Sequence, residues 1–202
     1  MSSPLSDAAL DQLFRTARTR NGWQPKDVPE PLIKAAYELT KMGATSANGS
    51  PARFMFLHSA PAKERLKPFL MEGNVEKSMS APWVVIIATD MKFQDKMDML
   101  FPIRPGAGAM FDGMPPEMHA EHALRNSSLQ GAYFMLACRS LGLDCGAMSG
   151  FDAAGVDREF FAGDPSTLHW KPNFICNVGY GSDENLFPRL PRLSFEDAAR
   201  IL

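Results

Sequence analysis

Residues 83 to 90 read WVVIIATD, an almost unbroken run of apolar and β-branched side chains. A strand with one face in water alternates apolar and polar residues, whereas a strand buried on both faces is apolar nearly throughout. The run therefore predicts a central strand in a sheet that other elements cover on both faces. It is far shorter than the roughly 20 apolar residues that cross a bilayer as a helix, so we expect no membrane partner.

Helical and strand patterns alternate along the rest of the chain, which predicts an α+β fold. The pattern over 116–141 is the longest helix, and Gly142 ends it. The other predicted helices are 6–17, 31–43, 61–70, 152–161 and 194–202, and the other predicted strands are 53–58, 143–151 and 173–181. The Gly- and Pro-rich stretch 102–116 predicts a mobile loop. Because no repeat or linker interrupts this order, we predict one domain over 1–202.

The composition excludes several classes of function. The 202 residues include 21 basic and 23 acidic side chains, for a net charge of -2, so nothing attracts nucleic acid or an anionic membrane globally. Three cysteines, none in a C-x-x-C pair, argue against a disulfide framework and a zinc knuckle. The N-terminus lacks the pattern of a secretory signal. These features predict a reduced, cytoplasmic protein.

Three nucleotide-binding, catalytic or metal-binding motifs are present only in part. The Gly106–Gly108 pair lacks the third glycine of G-x-G-x-x-G, because position 111 is Phe. In GAMSGF, the G-x-S-x-G motif of serine hydrolases lacks its first glycine, because position 147 is Ala. His119 and His122 are not spaced as in the zinc motif H-E-x-x-H, so a solvated helix start is the favoured interpretation and no metal site is expected.

Polar turns and arginines are the more informative pattern. The segments ARTRN at 17–21 and PRLPR at 188–192 could grip one phosphate from opposite ends of the chain, since guanidinium groups bind phosphate in a bidentate way. Solvated surface charge is the alternative, and the residues alone slightly favour it. The turn NGSPAR at 48–53 is either a simple connection or a polar binding cradle. In EGNVEK, residues 72–77, Asn74 and Lys77 either cap a helix or line a site.

Taken together, these segments resemble the flavin-dependent nitroreductase family over essentially the whole chain. ARTRNGW resembles its N-terminal phosphate segment and aligns Arg18 and Thr19 with it, while TSANGSPARF resembles its flavin turn and keeps Ser46 and Asn48. GNVEK, GAMSGFD and RLPR resemble three further segments. They carry the implied cofactor contacts Asn74, Lys77, Met148, Ser149, Gly150 and Arg189.

Longer strings are similar to the malonic semialdehyde reductase branch of pyrimidine degradation, among them RNSSLQGAY and PRLPRLSFE. Four positions depart from the usual pattern. Asn21 and Phe187 stand where basic residues are common, which thins the phosphate clamp. Ser50 and Ala52 replace the usual Gln and Trp, which alters the pocket wall.

The resemblance implies a nitroreductase-like fold, with a mostly antiparallel central sheet flanked by helices, in an intertwined homodimer with FMN at the subunit interface. It implies a ping-pong reaction in which a hydride passes from NADH or NADPH to a small aldehyde by way of FMN, with no catalytic side chain. Arg18, Arg189 and Arg20 would hold the phosphate and Lys77 would tune the flavin.

Arg53 and Arg104 are candidates for orienting a carboxylate on the substrate. Two alternatives stay open beside an aldehyde reductase that acts on malonic semialdehyde. One is a general reductase of nitroaromatics and quinones. The other, from a different class, is a flavin-binding module without turnover.

Overall fold

A four-stranded antiparallel sheet lies at the centre of the computed structural model, which describes residues 3–202. In spatial order its strands are β2 (Ala52–Leu57), β3 (Trp83–Asp90), β5 (Trp170–Gly179) and β4 (Asp144–Met148). All eight residues of β3 are buried, and β3 pairs with β2 on one side and β5 on the other. The prediction of a central, doubly covered strand is confirmed.

Nine α-helices and a two-stranded ribbon complete the described residues. The ribbon pairs β1 (Gly22–Trp23) with β6 (Gly181–Ser182). The helices are α1 (Asp7–Leu10), α2 (Glu30–Thr40), α3 (Ala60–Leu66), α4 (Glu72–Met79), α5 (Met97–Leu100), α6 (Gly108–Asp112), α7 (Pro116–Ser140), α8 (Ala153–Phe160) and α9 (Phe195–Ala198). A π-helical turn, Asp11–Arg15, extends α1, and short 3₁₀ turns occupy Ser46–Asn48, Lys67–Phe69 and Phe93–Lys96.

Alternate residues of β3 enter two different cores, which explains its continuous apolar sequence. Val85 and Ile87 lie in a core with Phe134 of α7, whereas Val84 and Ile86 lie in a second core on the opposite face. Each such side chain contributes roughly 1.5–3 kcal/mol when fully buried. The sheet is therefore a shared wall between two helical layers.

The long helix α7 ends within one residue of its predicted limit, and it packs closely on the sheet. A Cβ on Gly131 would lie 2.5 Å from the Phe174 ring, so only glycine permits this approach. The buried face of α7 also carries the polar residues Asn126, Ser127 and Gln130. A buried polar group requires a hydrogen-bond partner, so these three side chains are expected to bond to the elements that pack on α7.

The segment 91–115 builds a third, smaller core, and here the sequence prediction is wrong. Instead of a loop without structure over 102–116, the chain forms α6, because Phe111 packs edge-on against Phe93 at 5.0 Å between ring centroids. His119 and His122 stack on Phe93 at 5.3 and 5.7 Å and are half-buried, not solvated. Tertiary packing outweighs the Gly and Pro content of the segment.

The last predicted helix is also shorter than expected, since α9 has only four residues after Ser194, which caps it. Cys138, Cys145 and Cys176 are buried free thiols. Within residues 3–202 no helix has the length and apolar character that crossing a bilayer requires.

Candidate functional site

A cavity of about 610 Å³ lies where the segment after α1 meets the C-terminal segment. We call it the basic cavity, because its lining includes the cations Arg15, Arg18, Lys77, Arg139, Arg189 and Arg192, together with Thr19 and Asn21. None of its described lining residues is acidic. Four of the predicted cofactor contacts, from three distant segments, thus meet around one concave surface.

Arg18 and Arg189 hold the two walls of the basic cavity together. Arg18 donates to the carbonyl of Phe187, and Arg189 Nη2 donates to the carbonyl of Ala17 at 3.1 Å. A guanidinium carries five N–H donors, so each arginine keeps further donors for a ligand. Two arginines with remaining donors suit a phosphate, which accepts bidentate charge-assisted hydrogen bonds.

Lys77 lies in the last turn of α4, and its backbone and side chain are both constrained. Its carbonyl accepts hydrogen bonds from Trp23 Nε1 at 2.8 Å and Asn177 Nδ2 at 3.1 Å, and its Nζ donates to Asn21 Oδ1 at 3.4 Å. Burial lowers the pKa of Lys77 because the charged ammonium loses hydration. A negative group in the basic cavity would compensate this loss.

Asn74 precedes Lys77 by one helical turn and lies beside the end of β4. Asn74 Nδ2 donates to the carbonyl of Gly150 at 2.8 Å, and a Cβ on Gly150 would lie 2.5 Å from that nitrogen. Met148 is buried, while Ser149 is exposed just beyond the strand. The structure therefore brings these four predicted residues together, and the shared helix links them to Lys77.

Arg20 lies outside the basic cavity. Its Nη1 donates to the Ser182 carbonyl at 3.1 Å and to Asp183 Oδ1 at 2.6 Å, and its Nε lies 3.5 Å from Asp144. These contacts fasten the ribbon of β1 and β6 to β4. The structure thus gives Arg20 protein carboxylates as partners and does not direct it toward the other phosphate candidates.

Ser46 and Asn48 lie in a turn at the opposite edge of the sheet. We call Ser46–Ser50 the left-handed turn, because Ala47, Asn48 and Ser50 have φ values of 50°, 53° and 42°. Each non-glycine residue held there costs on the order of 1–3 kcal/mol, and such strain persists only when surrounding structure enforces it. Ser46 and Asn48 are both exposed at the tip.

The buried polar face of α7 supplies that enforcement. Asn126 Oδ1 accepts from Ser46 N at 2.8 Å, and Gln130 Oε1 accepts from Ala52 N at 2.8 Å. Within the turn, Thr45 Oγ1 accepts from the backbone N of residue 50 at 3.1 Å. Sequence reasoning did not identify these residues, although polar side chains on the buried stripe of an amphipathic helix are a signal that could have found them.

The two substrate candidates differ sharply. Arg53 Nη2 forms a 2.6 Å ion pair with Asp90, and Nη1 donates to the carbonyls of residues 50 and 52, so this guanidinium bonds mainly to groups of its own chain. Arg104 is exposed and its guanidinium has no partner within residues 3–202. Asn48 Nδ2 donates to the Leu100 carbonyl at 2.8 Å, which ties the loop that carries Arg104 to the left-handed turn.

The candidate residues thus form two groups at opposite edges of the sheet. The left-handed turn precedes β2, whereas Gly150 follows β4, and three interstrand spacings of about 4.8 Å separate these strands by roughly 14 Å. Asn48 and Ser50 line a groove of about 970 Å³ that shares no described lining residue with the basic cavity. We call it the apolar groove, because its walls include Ile33, Tyr37, Phe54, Phe56 and Trp83.

The last 16 residues, 187–202, form a C-terminal arm that exposes apolar side chains. The exposed fractions are 71% for Phe187, 66% for Leu190, 76% for Leu193 and 59% for Phe195. Contiguous apolar side chains at a protein surface mark an interaction site. Among the described residues of a single chain, no other element packs over these apolar side chains of the arm.

Comparison with known proteins identifies the fold and the family of this chain. The model of the family described as "Nitroreductase family" matches residues 3–180. A protein of Stenotrophomonas maltophilia strain R551-3 is 57% identical over 201 residues, which span 100% of both chains. A protein of Caulobacter vibrioides is 54% identical over 198 residues, 98% of each. Both carry the provisional name NADH dehydrogenase/NAD(P)H nitroreductase.

Solved structures show the same fold at low identity. The Bacillus subtilis protein ydfN, a nitroreductase by provisional name, aligns with a TM-score of 0.85 at 18% identity, covering 98% of this chain and 100% of its own. A similarly named protein of Exiguobacterium sibiricum, solved in complex with FMN, aligns with a TM-score of 0.83 at 18% identity over 100% of both chains. Identities this low establish the fold alone.

Proposed function

The chain belongs to the nitroreductase family, and on that premise we propose that it is an FMN-dependent NAD(P)H oxidoreductase. One observation carries the proposal. Arg18, Lys77 and Arg189 converge on one cavity without an acidic residue in its described lining, and Lys77 is partly buried there. Such a site favours an anionic ligand with a phosphate.

The residues present fit FMN in two regions. Arg18 and Arg189 would hold the phosphate, with the Thr19 hydroxyl beside them. The ring system would be lined by Asn74, Lys77, Met148, Ser149 and Gly150. When bound, FMN supplies hydride transfer between a nicotinamide and an acceptor, which no side chain can perform. We therefore assign no residue a nucleophilic role.

The protein's own contribution is electrostatic and geometric. The backbone of Lys77 is fixed by the hydrogen bonds that its carbonyl accepts from Trp23 and Asn177, and its ammonium is anchored by Asn21. A fixed cation in a poorly hydrated site stabilises negative charge more than the same cation in water. Lys77 would thus favour the reduced, anionic form of the cofactor.

We propose that the complete site requires two copies of this chain in an intertwined homodimer. In one chain Asn48 lines the apolar groove at the β2 edge, whereas Lys77 lines the basic cavity at the β4 edge, and the two share no described lining residue, so neither cavity alone brings both groups to one ligand. The exposed apolar side chains of the C-terminal arm suit the apolar groove of a second copy. The turn of one subunit would then approach the basic cavity of its partner.

For the acceptor we propose a small aldehyde with a carboxylate, specifically malonic semialdehyde, reduced to 3-hydroxypropanoate. Arg53 is committed to Asp90, so Arg104 becomes the candidate that orients the carboxylate. Its loop is tied to the left-handed turn at Leu100, which places it beside the proposed cofactor contacts.

A second acceptor class, nitroaromatics or quinones, is favoured by a different observation. Two apolar side chains of the segment that carries Arg104 face solvent, since Met99 is 70% exposed and Ile103 is 83% exposed. An exposed apolar pair suits a flat apolar acceptor. The provisional names of the relatives also point to nitro compounds. The two classes are separated by the charge of the acceptor that Arg104 would recognise.

The deciding experiment is an anaerobic absorption titration of the purified protein with FMN and then with NADH or NADPH. We expect bound flavin that bleaches with at least one donor and is reoxidised faster by malonic semialdehyde than by quinones. A protein that does not bind FMN would overturn the cofactor assignment. Bound flavin that neither donor reduces would indicate a binding module without turnover.

The role of Arg104 is tested with Arg104→Ala. Loss of a charge-assisted hydrogen bond should raise KM for the semialdehyde by about 10- to 100-fold, while KM for a neutral quinone stays unchanged. Arg158→Ala, at an exposed arginine on α8, is the matched control. Equal effects on both acceptors would remove Arg104 from this role.

A further inference from the structure

Asp90 is a buried carboxylate in the last position of β3. Only 5% of its side chain is exposed, and Oδ2 lies 2.6 Å from Arg53 Nη2. Its other oxygen accepts from Lys92 N at 2.8 Å, and His169 Nε2 lies 3.9 Å away. A buried charge of this kind persists only where it is paired and hydrogen-bonded, so its position relative to Arg53 is tightly determined.

Arg53 also bonds to the last residue of the left-handed turn and to the first residue of β2. Nη1 donates to the Ser50 carbonyl and to the Ala52 carbonyl, both at 2.8 Å. Asp90 N donates to the Pro51 carbonyl at 2.8 Å. Together these bonds immobilise the end of the turn, where Ser50 has a φ of 42°.

We propose that Arg53 and Asp90 are a positioning pair that holds the left-handed turn in the conformation that binds the cofactor. The inference rests on the proposed function. With the end of the turn fixed, Ser46 and Asn48 present their polar groups in a constant direction. Arg53 therefore acts through the turn and does not touch the substrate.

The strand itself does not need this pair, since β2 is already joined to β3 along six register positions from Ala52 to Leu57. The pair adds bonds to the Ser50 carbonyl at the end of the turn and to the carbonyls of the two residues that follow it. A second ion pair, Lys171 with Asp157, has the same 2.6 Å length and joins β5 to α8, away from the turn. It offers a matched comparison within the same sheet.

The test measures FMN affinity of the full-length chain by flavin fluorescence, beside the visible circular dichroism of bound flavin and Tm. We expect Arg53→Gln and Asp90→Asn each to raise Kd by about tenfold or more, the scale of a lost charge-assisted hydrogen bond. The double variant should bind no worse than the weaker-binding single variant, because both changes break one pair. The dichroism should change as the flavin environment loosens.

Two further variants separate positioning from stability. Arg53→Lys keeps the charge but loses the planar fork, so we expect Tm near that of the wild type with weak FMN binding. Lys171→Gln should lower Tm less than Arg53→Gln does, because its ion pair is more exposed, and it should leave FMN affinity unchanged.

The proposal is overturned if Arg53→Lys and Arg53→Gln both bind FMN within about twofold of the wild type, a difference too small for a lost charge-assisted hydrogen bond, or if Lys171→Gln weakens binding equally. It is also overturned if the losses of the two single variants add in the double variant. Failure of the wild type to bind FMN is a distinct result, and it overturns the proposed function together with this inference.

Discussion

The two edges of the sheet are built on opposite principles. At the β2 edge, the left-handed turn and the start of β2 have partners within the chain, because Asn126 accepts from Ser46 N, Gln130 accepts from Ala52 N, and Arg53 pairs with Asp90. At the β4 edge, the two phosphate candidates bond to backbone carbonyls, and none of the described lining residues is acidic. The polar groups of the β2 edge therefore have partners within the chain, whereas the β4 edge carries positive charge with no acidic residue in the described lining of its cavity.

This difference separates stability from affinity. Breaking an internally satisfied network leaves buried polar groups without partners, so it lowers the free energy of unfolding. Removing a cation from the basic cavity relieves repulsion and gives up at most an exposed hydrogen bond in the free protein, so the larger loss appears only when an anion binds. Variants at the two edges should therefore affect different measurements.

The largest effect is expected when both phosphate candidates are removed. Arg18→Ala combined with Arg189→Ala should raise the Kd for FMN by about 100-fold or more, because each charge-assisted hydrogen bond contributes roughly 1.5–3 kcal/mol. The Tm of the free protein should change little. Fluorescence titration and thermal melts of the same samples provide both measurements.

Arg200→Ala is the control for that double variant, because Arg200 lies in the same C-terminal arm and bonds to the Ala199 carbonyl at 2.8 Å outside the basic cavity. It should bind FMN as the wild type does. A double variant with unchanged FMN affinity would show that the basic cavity is not the phosphate site.

The next largest effect belongs to the β2 edge and appears as a loss of stability. Gln130→Leu leaves the N–H of Ala52 buried without an acceptor, at a cost of about 1–3 kcal/mol. For a chain of this size each kcal/mol lowers Tm by roughly 2–4 °C, which a thermal melt resolves.

Ser128→Ala is the control on α7, since the Ser128 hydroxyl is exposed and bonds to the Leu124 carbonyl of its own helix. It also accepts from Asn173 Nδ2, which keeps Ser127 Oγ as a second acceptor at 3.0 Å, so no buried group loses its partner. The melting temperature of this variant should stay within about 2 °C of the wild type. A Gln130→Leu variant as stable as this control would mean that Gln130 does not stabilise the start of β2 after the turn.

How much of the fold the sequence predicts depends on whether an element is stabilised by local or by tertiary interactions. Val84–Ile87 predict a central strand because burial on both faces leaves a mark at every position. The α6 helix could not be predicted, because its stability comes from contact between Phe111 and Phe93, which belong to different local segments. Local composition describes local preference, and the third core is a tertiary effect.

The site shows the same limit. Arg18, Lys77 and Arg189 were expected at one site by resemblance, and the structure brings them to one cavity. Arg53 was expected at the substrate, but its partner Asp90 lies at the end of another strand, and sequence spacing cannot reveal that pairing. Contact between these residues and the cofactor stays a prediction.

A smaller effect is expected at Lys77, where the ease of flavin reduction and the stability of the free protein should change in opposite directions. Burial lowers its pKa from 10.5, so between the lowered value and 10.5 the unfolded chain binds more protons and stability rises with pH. Below that window the poorly hydrated charge destabilises the fold. Lys77→Met should therefore raise the Tm of the free protein near neutral pH while making bound FMN harder to reduce.

Thermal melts at neutral pH and a redox titration of the bound flavin test Lys77→Met together. Lys63→Met is a useful comparison, because burial lowers the pKa of Lys63 too, yet its Nζ donates to the Met79 and Ala81 carbonyls at 2.9 and 2.8 Å. That variant should lose stability. A lower Tm for both variants would show that Lys77 is a structural residue.

The smallest effect is expected in the third core, at His122, which stacks on Phe93 and Phe111. Burial, and then the nearby charges of Arg125 and His119, lower the pKa of His122 below 6.5. As pH falls, the unfolded chain protonates His122 at a higher pH than the folded chain does. The stability that neutral His122 contributes is therefore fully present above pH 6.5 and is lost as pH falls toward the lowered pKa of the folded state. Amide exchange over 91–114 should therefore accelerate between about pH 7.5 and 5.5, after correction for intrinsic rates, while β3 stays protected. His122→Gln should abolish the difference, because the glutamine amide does not titrate in this range, and an unchanged pH response in that variant would assign the effect to another group.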